Sequence, residues 1–232
     1  MFRNPNEPAR LSLRALARLL AYPDAALRAQ APVLIDALQD EGALGRTRLA
    51  ELEALCRQLT ELDPYVLEAR YVETFDRGRQ TSLHLFEHVH GDSRERGPAL
   101  LDLRQTYAQA GLLLDAEELP DHLGVVLEFA STQPTQVARE FLGELAHILN
   151  AVFTALVQRG SPYASVIAAV LEIAGERAQS VPIAPEPELD TVWAEPPAFD
   201  GCSTVGQGRP AQPRSYHAVR GQRTSNPQGA RA

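Results

Sequence analysis

Four of the six histidines in this 232-residue chain lie between positions 84 and 122: His84, His88, His90 and His122. On a helix, His84 and His88 stand four residues apart on one face, with Glu87 beside them. Two imidazoles and a carboxylate at that spacing could hold a transition metal. Their order, H-x-x-E-H-x-H, does not place a general base where the zinc-protease motif H-E-x-x-H does. The competing reading is that His84, Glu87, His88 and His90 cap helix ends and hydrogen-bond to Asp76, Arg77 or Arg79. Spacing alone leaves a metal-binding helical enzyme and a set of caps both open. Nucleophilic and phosphate chemistry find no footing. No nucleophile elbow, phosphate loop or dinucleotide fingerprint occurs, and Ser82, Ser93 and Ser131 all lack a G-x-S-x-G setting.

The same stretch is dense in charge around short loops. Asp76, Arg77 and Arg79 precede one helical pattern, Asp92, Arg94, Glu95 and Arg96 follow it, and Pro120-Asp121-His122 opens another. With Gly78, Gly91 and Gly97 at the turns, these residues either form solvated turns held by weak internal ion pairs or present a polar rim for a peptide. In the second case the apolar faces of neighbouring helices supply the floor of a groove. A general helical peptide-binding adaptor remains open on the same grounds.

The elements that must position these loops are helices. Leu13, Leu16, Leu19 and Leu20 share one face of a first helix, for which Ser12 is the expected cap and Tyr22-Pro23 the stop. Asp24 caps a second segment carrying Leu27, Leu34, Ile35 and Leu38, which Pro32 is expected to break or kink. Leu49, Leu52, Cys56 and Leu59 form the stripe of a third. Asp63-Pro64 reads as an N-cap with proline at the first helical position, opening a helix through Val66, Leu67, Tyr71 and Phe75. Further helices are expected over 81–89, 98–110, 121–131, 135–158 and 162–178, with Gly111 and Gly160 as C-terminal caps. No alternation long enough for a strand and no internal repeat is present. The expectation is an all-α, compact bundle of about eight to ten helices, with a flexible N-terminus over 1–10 and an all-helical domain over 11–178.

Residues 179–232 differ in kind. They hold eight of the 17 prolines and five of the 15 glycines and few aliphatic residues. Too little apolar surface is available there to offset the entropy of ordering, so this Pro/Gly-rich tail is expected to be largely disordered. Its first half carries Glu186, Glu188, Asp190, Glu195 and Asp200 around Leu189, Val192, Trp193 and Phe199. Its second half, after position 201, carries five arginines and no acid. The tail is therefore neutral, and the net charge of −8 belongs to residues 1–178, with 17 arginines against 25 acids. That balance, and the absence of a basic recognition helix, argue against a nucleic-acid partner.

Cys56 and Cys202 do not suggest a structural disulfide. Met1 to Arg10 lacks the apolar core of a secretory signal. The longest uncharged run, 145–158, is shorter than the roughly 20 residues needed to span a bilayer, so no direct membrane insertion is expected. A cytoplasmic setting follows as the expectation.

The run YVETFDRGRQTSLHLFEHVHGDSRERG from Tyr71 to Gly97, followed by ELPDHLGVVLEFAS from Glu118 to Ser131, resembles the nitrate reductase molybdenum cofactor assembly chaperones, the NarJ or delta-subunit family, within the wider TorD-like group of redox-enzyme maturation chaperones. The resemblance extends over about 13–178 and weakly into EPELDTVWAEPPAFDG. It implies an all-helical, non-catalytic, cytoplasmic chaperone that binds the incomplete catalytic (alpha) subunit of a respiratory nitrate reductase, including its N-terminal segment. It further implies support for insertion of the molybdenum cofactor, molybdopterin guanine dinucleotide, into that client, no stably bound cofactor, a delay of membrane assembly, and cofactor-biosynthesis proteins as further partners. Tyr71, Phe75, Asp76, Arg77, Ser82, Glu87, His88, Gly91, Arg94, Arg96 and Gly97 match the first motif; Leu119, Pro120, Asp121, Leu123, Leu127 and Glu128 match the second. The candidate client-binding set is Tyr71, Phe75, Asp76, Arg77, Arg79, Ser82, Glu87, His88, Arg94, Arg96, Asp121, His122 and Glu128, while Gly91, Gly97 and Pro120 are structural. Among them Arg77 and His88 are expected to recognise the client, and Gly91 and Asp121 to hold loop geometry and caps. Gly124 departs from the pattern, at a position where a residue less disruptive to a helix is expected.

Overall fold

The computed structural model describes residues 9–91, 93–115 and 117–183. These residues form ten α-helices and no strand: α1 (Arg10–Leu19), α2 (Ala25–Glu41), α3 (Arg46–Glu61), α4 (Pro64–Phe75), α5 (Leu85–His90), α6 (Arg96–Gln109), α7 (Leu123–Thr132), α8 (Thr135–Glu144), α9 (Ala146–Gln158) and α10 (Ala164–Ala174). A single 3-10 turn, Arg79–Thr81, precedes α5. The expected all-α bundle is what is observed. The expected flexible start and the proline-rich tail, including Trp193 and the arginine-rich half, fall mainly outside the described residues.

The strongest local signals in the chain correspond to real helix starts. Asp24 accepts the Leu27 amide at the head of α2, and Asp63 accepts the Tyr65 and Val66 amides at the head of α4. Gly111 and Gly160 end α6 and α9 with positive φ. Other boundaries differ from expectation because partners distant in sequence decide them. Ser12 does not cap α1. Instead the Glu41 carboxylate, at the far end of α2, accepts the Leu11 and Ser12 amides. Pro32 neither stops nor splits α2; burial of Leu27, Ala31 and Leu38 along that helix outweighs the hydrogen bond the proline lacks. The expected single helix over 135–158 is two helices, bent by 65° at Leu145, so that α8 and α9 both lie against α10. The last helix is shorter than expected, closed at Gly175 with φ +86°.

Helix α10 occupies the centre. Val166, Ile167, Ala169, Val170 and Leu171 are fully buried, and α1, α3, α8 and α9 pack around it. Helix α1, with its Leu13, Leu16, Leu19 and Leu20 face sealed, lies between α2 and α7. A second, smaller cluster joins Tyr107 of α6 to Val125 and Phe129 of α7. Among the described residues no single helix is long and apolar enough to cross a membrane.

Candidate functional site

The two motif segments meet. Residues 82–84 do not join the helix expected over 81–89, because their backbone is claimed by the chain some 40 positions on. The Leu123 amide donates to the Leu83 carbonyl (2.8 Å), and the Leu85 amide donates to the Asp121 carbonyl (3.0 Å). His84 and His122 thus pair as an isolated antiparallel bridge, and His84 is extended, the residue before α5 rather than part of it. The i, i+4 relation between His84 and His88 on a common helix is therefore not realised. The start of α7 is also shifted from the expected 121. His122 is the capping residue, its Nδ1 accepting the Gly124 amide at 3.2 Å. Gly124 is explained by the same contact, since a Cβ there would stand 3.1 Å from His122 Nδ1.

Asp121 is freed from α7 to serve α5. It is fully buried; its Oδ2 accepts the Phe86 amide (3.2 Å), and its Oδ1 faces His84 Nδ1 (3.4 Å). Arg96, at the start of α6, reaches both Asp121 (3.7 Å) and Glu87 (3.2 Å). Glu87 in turn accepts the Ser82 hydroxyl (2.6 Å), and His88 Nε2 contacts the Ser82 carbonyl (2.9 Å). His90 stacks edge-on against Phe86. His84 is turned to Asp121, Glu87 to Ser82 and Arg96, His88 to the Ser82 carbonyl and His90 to Phe86. Among the described residues no three His, Cys, Asp or Glu side chains are placed to hold a metal ion. In this geometry the side chains that the metal-binding alternative requires do not converge.

The two imidazoles of the bridge lie 5.2 Å apart, and their surroundings shift them in opposite directions. The hydrogen bond to Asp121 raises His84 above its ordinary value; burial opposes this, the Asp121 and Glu87 charges add to it, and Arg96 subtracts. Burial lowers His122, assisted by the neighbouring His84 charge and partly offset by Asp121. Burial alone would push Asp121 up, yet the hydrogen bond and charge of His84, the Phe86 amide and Arg96 together bring its carboxyl below the usual range. Neutral His122 is what its acceptor role at the head of α7 requires.

A pH dependence follows. The stability that His84 contributes is fully present below its unfolded value, near 6.5, and is lost as pH rises through its raised folded value. His122 has the opposite sign, contributing above that unfolded value and less as pH falls through its lowered one. The melting-temperature gap between the wild type and His84→Gln should therefore be widest near pH 6 and shrink toward pH 8.5. Thermal melts across that range are the check; a gap that stays constant would remove the charged His84–Asp121 contact from the account.

The structure divides the candidate set. Ser82, Glu87, His88, Arg96, Asp121 and His122 form this internal network, and Pro120 belongs to it through its carbonyl, which accepts the Tyr107 hydroxyl at 2.9 Å. Gly91 ends α5 with φ +52°, a conformation that favours glycine, whereas Gly97 lies exposed in the first turn of α6. Asp76, Arg77, Arg79, Arg94 and Glu128 are exposed. Arg77 shares a shallow cavity with Tyr22, Tyr65, Glu68 and Glu73. Tyr71 and Phe75 point the other way, into an aromatic group with Tyr163 whose ring centroids are 4.8–5.9 Å apart. The Tyr71 hydroxyl donates to the Leu20 carbonyl at 2.8 Å, and burial pushes its pKa up to about 12, so it remains a donor throughout the neutral range.

A larger cavity, of about 590 Å³, lies along α4 between α3 and the loop that joins α9 to α10. No single stretch of the sequence marks it. The Gly160-Ser161-Pro162 turn signal is visible, but nothing local shows that this turn faces Leu55, Leu59 and Leu67.

The family model described as the nitrate reductase delta subunit matches residues 21–169. The nitrate reductase molybdenum cofactor assembly chaperone NarJ of Escherichia coli K12 is 40% identical over 195 residues, covering 80% of this chain and 83% of that protein. A protein of Bacillus subtilis strain 168, carrying the same description qualified as probable, is 34% identical over 72% of this chain and 91% of its own length. Among solved structures, a chain from Archaeoglobus fulgidus titled a putative redox enzyme maturation protein shares the fold, with a TM-score of 0.51 and 20% identity over 76% of this chain and 98% of that one.

Proposed function

The chain belongs to the nitrate reductase delta subunit family, and we propose that it is a dedicated, non-catalytic assembly chaperone for a nitrate reductase. On this reading it binds the incomplete catalytic (alpha) subunit in the cytoplasm, through contacts that include the client's N-terminal segment. It keeps that subunit competent to receive molybdopterin guanine dinucleotide and delays its docking at the membrane. The cofactor is cargo for the client, not a group this chain retains. The single observation that carries the reading is the 40% identity to an assembly chaperone over four fifths of the chain.

Physical considerations support a division of labour. The network of buried Asp121 with the partly exposed His84, Glu87 and Arg96 clamps residues 82–90 to the head of α7. Asp76, Arg77, Arg79, Arg94 and Glu128 are left at the surface to meet a partner. Exposed charges set orientation and on-rate, while apolar anchors in a groove supply most of the affinity. The excess of acids over arginines in the body suits basic residues in the client segment.

The direct test is co-purification of this chain with a nitrate reductase catalytic subunit expressed without its cofactor, followed by molybdenum analysis of the client with and without the chaperone. Absence of a complex, together with unchanged molybdenum content, would defeat the proposal. Arg77→Ala should weaken client capture about threefold to tenfold while shifting stability by no more than about 0.5 kcal/mol, as expected for an exposed side chain. Parallel pull-downs and thermal melts decide this; a large drop in melting temperature would assign Arg77 to the fold instead.

A further inference from the structure

We propose that α6 and the turn after it, residues 96–114, form a lid that opens as one unit while the rest of the fold stays intact, with Tyr107 as its latch. The inference concerns the fold itself and does not depend on which client the chain serves. Its first support is how little of this segment is buried. Of the fourteen residues of α6 only Tyr107 is buried, whereas nine of the eleven residues of α10 are. Leu103, Leu112 and Leu114 are half-buried, and Leu101 and Leu113 face solvent.

The hydrogen bonds of this segment are turned inward. Arg104 donates to the Leu114 carbonyl (3.3 Å), the Thr106 hydroxyl to the Asp102 carbonyl (2.9 Å), and the Leu112 amide to the Tyr107 carbonyl (2.9 Å). The Tyr107 hydroxyl goes no farther than Pro120, in the loop that follows. Among the described residues, no hydrogen bond or ion pair from 97–114 reaches another helix. What holds the segment down is therefore apolar and local. The Tyr107 ring lies on Phe129, with centroids 4.4 Å apart, and Phe129 meets Phe141 edge-on at 5.2 Å. With Val125 these rings form a cluster distinct from the central core.

The roots of the segment, by contrast, are fixed. Arg96 pairs with Glu87 (3.2 Å) and faces Asp121 (3.7 Å), and Pro120, which accepts from Tyr107, immediately precedes Asp121. One buried carboxylate stands at both roots, and a single aromatic ring anchors what lies between them. A helix of this length is marginal by itself in water, so α6 has little to keep it helical once Tyr107 leaves its seat. Units with few buried contacts open at free energies below that of global unfolding. Opening bares Val125, Phe129 and Phe141, apolar surface that the closed lid covers.

Hydrogen exchange of the full chain, read by mass spectrometry in native buffer and in rising, subdenaturing urea, is the test. Amides of 100–110 are expected to exchange about a hundredfold faster than those of 166–174, with a much weaker dependence on urea. Tyr107→Phe removes the bond to Pro120 and should speed exchange in α6 about fivefold. Tyr107→Ala unseats the latch. Protection in α6 should then fall by about a hundredfold or more, while α10 stays protected and the main melting transition persists. Equal rates and equal urea slopes for α6 and α10 in the wild type would mean that the segment opens only with the whole fold, and the lid fails. Loss of protection in α10 together with α6 in Tyr107→Ala would make Tyr107 a member of the central core and overturn the inference as well. Fast exchange in α6 that neither variant alters is fraying of the helix, and it overturns the latch.

Discussion

Asp121→Ala is expected to lower stability by about 3 kcal/mol, a fall of roughly 6–12 °C in melting temperature for a domain of this size. The carboxylate is fully buried, and its loss strands two hydrogen-bonding partners, the Phe86 amide and the His84 ring, and removes a charge facing the Arg96 guanidinium. Removing one member of a buried ionic network costs more than the network contributes as a whole, because the remaining charges stay desolvated. The value lies at the lower end of the range for such losses, since His84 and Arg96 retain partial access to water and Arg96 keeps Glu87. Asp121→Asn keeps an acceptor for the Phe86 amide and should lose only about half as much. Calorimetry on both variants gives the comparison. Wild-type stability in Asp121→Ala, combined with lost client capture, would make Asp121 a recognition residue and refute its structural role.

Tyr71→Ala should be comparably damaging, at about 4 kcal/mol, by removing a large ring from a close-packed interior. Tyr71 packs against Phe75 and Tyr163, touches Tyr22 edge-on at 5.5 Å, and ties α4 to the end of α1 through the Leu20 carbonyl. Tyr71→Phe isolates the hydrogen bond and should lose about 1 kcal/mol. Both variants belong in denaturant titrations alongside client pull-downs. Tyr71→Phe is expected to capture client normally, and Tyr71→Ala to fail in proportion to its unfolded fraction. Selective loss of capture by a fully stable Tyr71→Phe would instead bring the hydroxyl into recognition.

At these two residues the sequence carries the motif but not the orientation. Both lie in a motif that the sequence makes conspicuous, and both were legible as important. Which way they face was not. On α4, Tyr71 and Phe75 share the buried stripe with Leu67, whereas Asp76 and Arg77, the next residues along, are exposed. Helical periodicity places residues on a face, but it does not distinguish an aromatic stripe that lines a groove from one that fills a core. Pro120, Asp121 and His122 were expected as one helix start; the structure gives them three separate tasks, accepting from Tyr107, capping α5 and capping α7.

The sequence by itself determined the features whose causes are local. Asp24 and Asp63 cap the helices they immediately precede, Gly111 and Gly160 close theirs, and the leucine stripe of α1 is sealed as its spacing requires. The all-α class and the family motif are legible for the same reason, since each is written in contiguous residues. Tertiary structure decided whatever depends on groups far apart in the chain. Leu83 and His84 are drawn out of a helix by backbone bonds that Leu83 and Leu85 make to residues 123 and 121, and Glu41 takes over the cap expected of Ser12. Leu55 and Ser161, more than 100 positions apart, come to line one cavity. Each of these rests on a hydrogen bond or an apolar contact whose partner only folding brings within reach, so no window along the chain contains it.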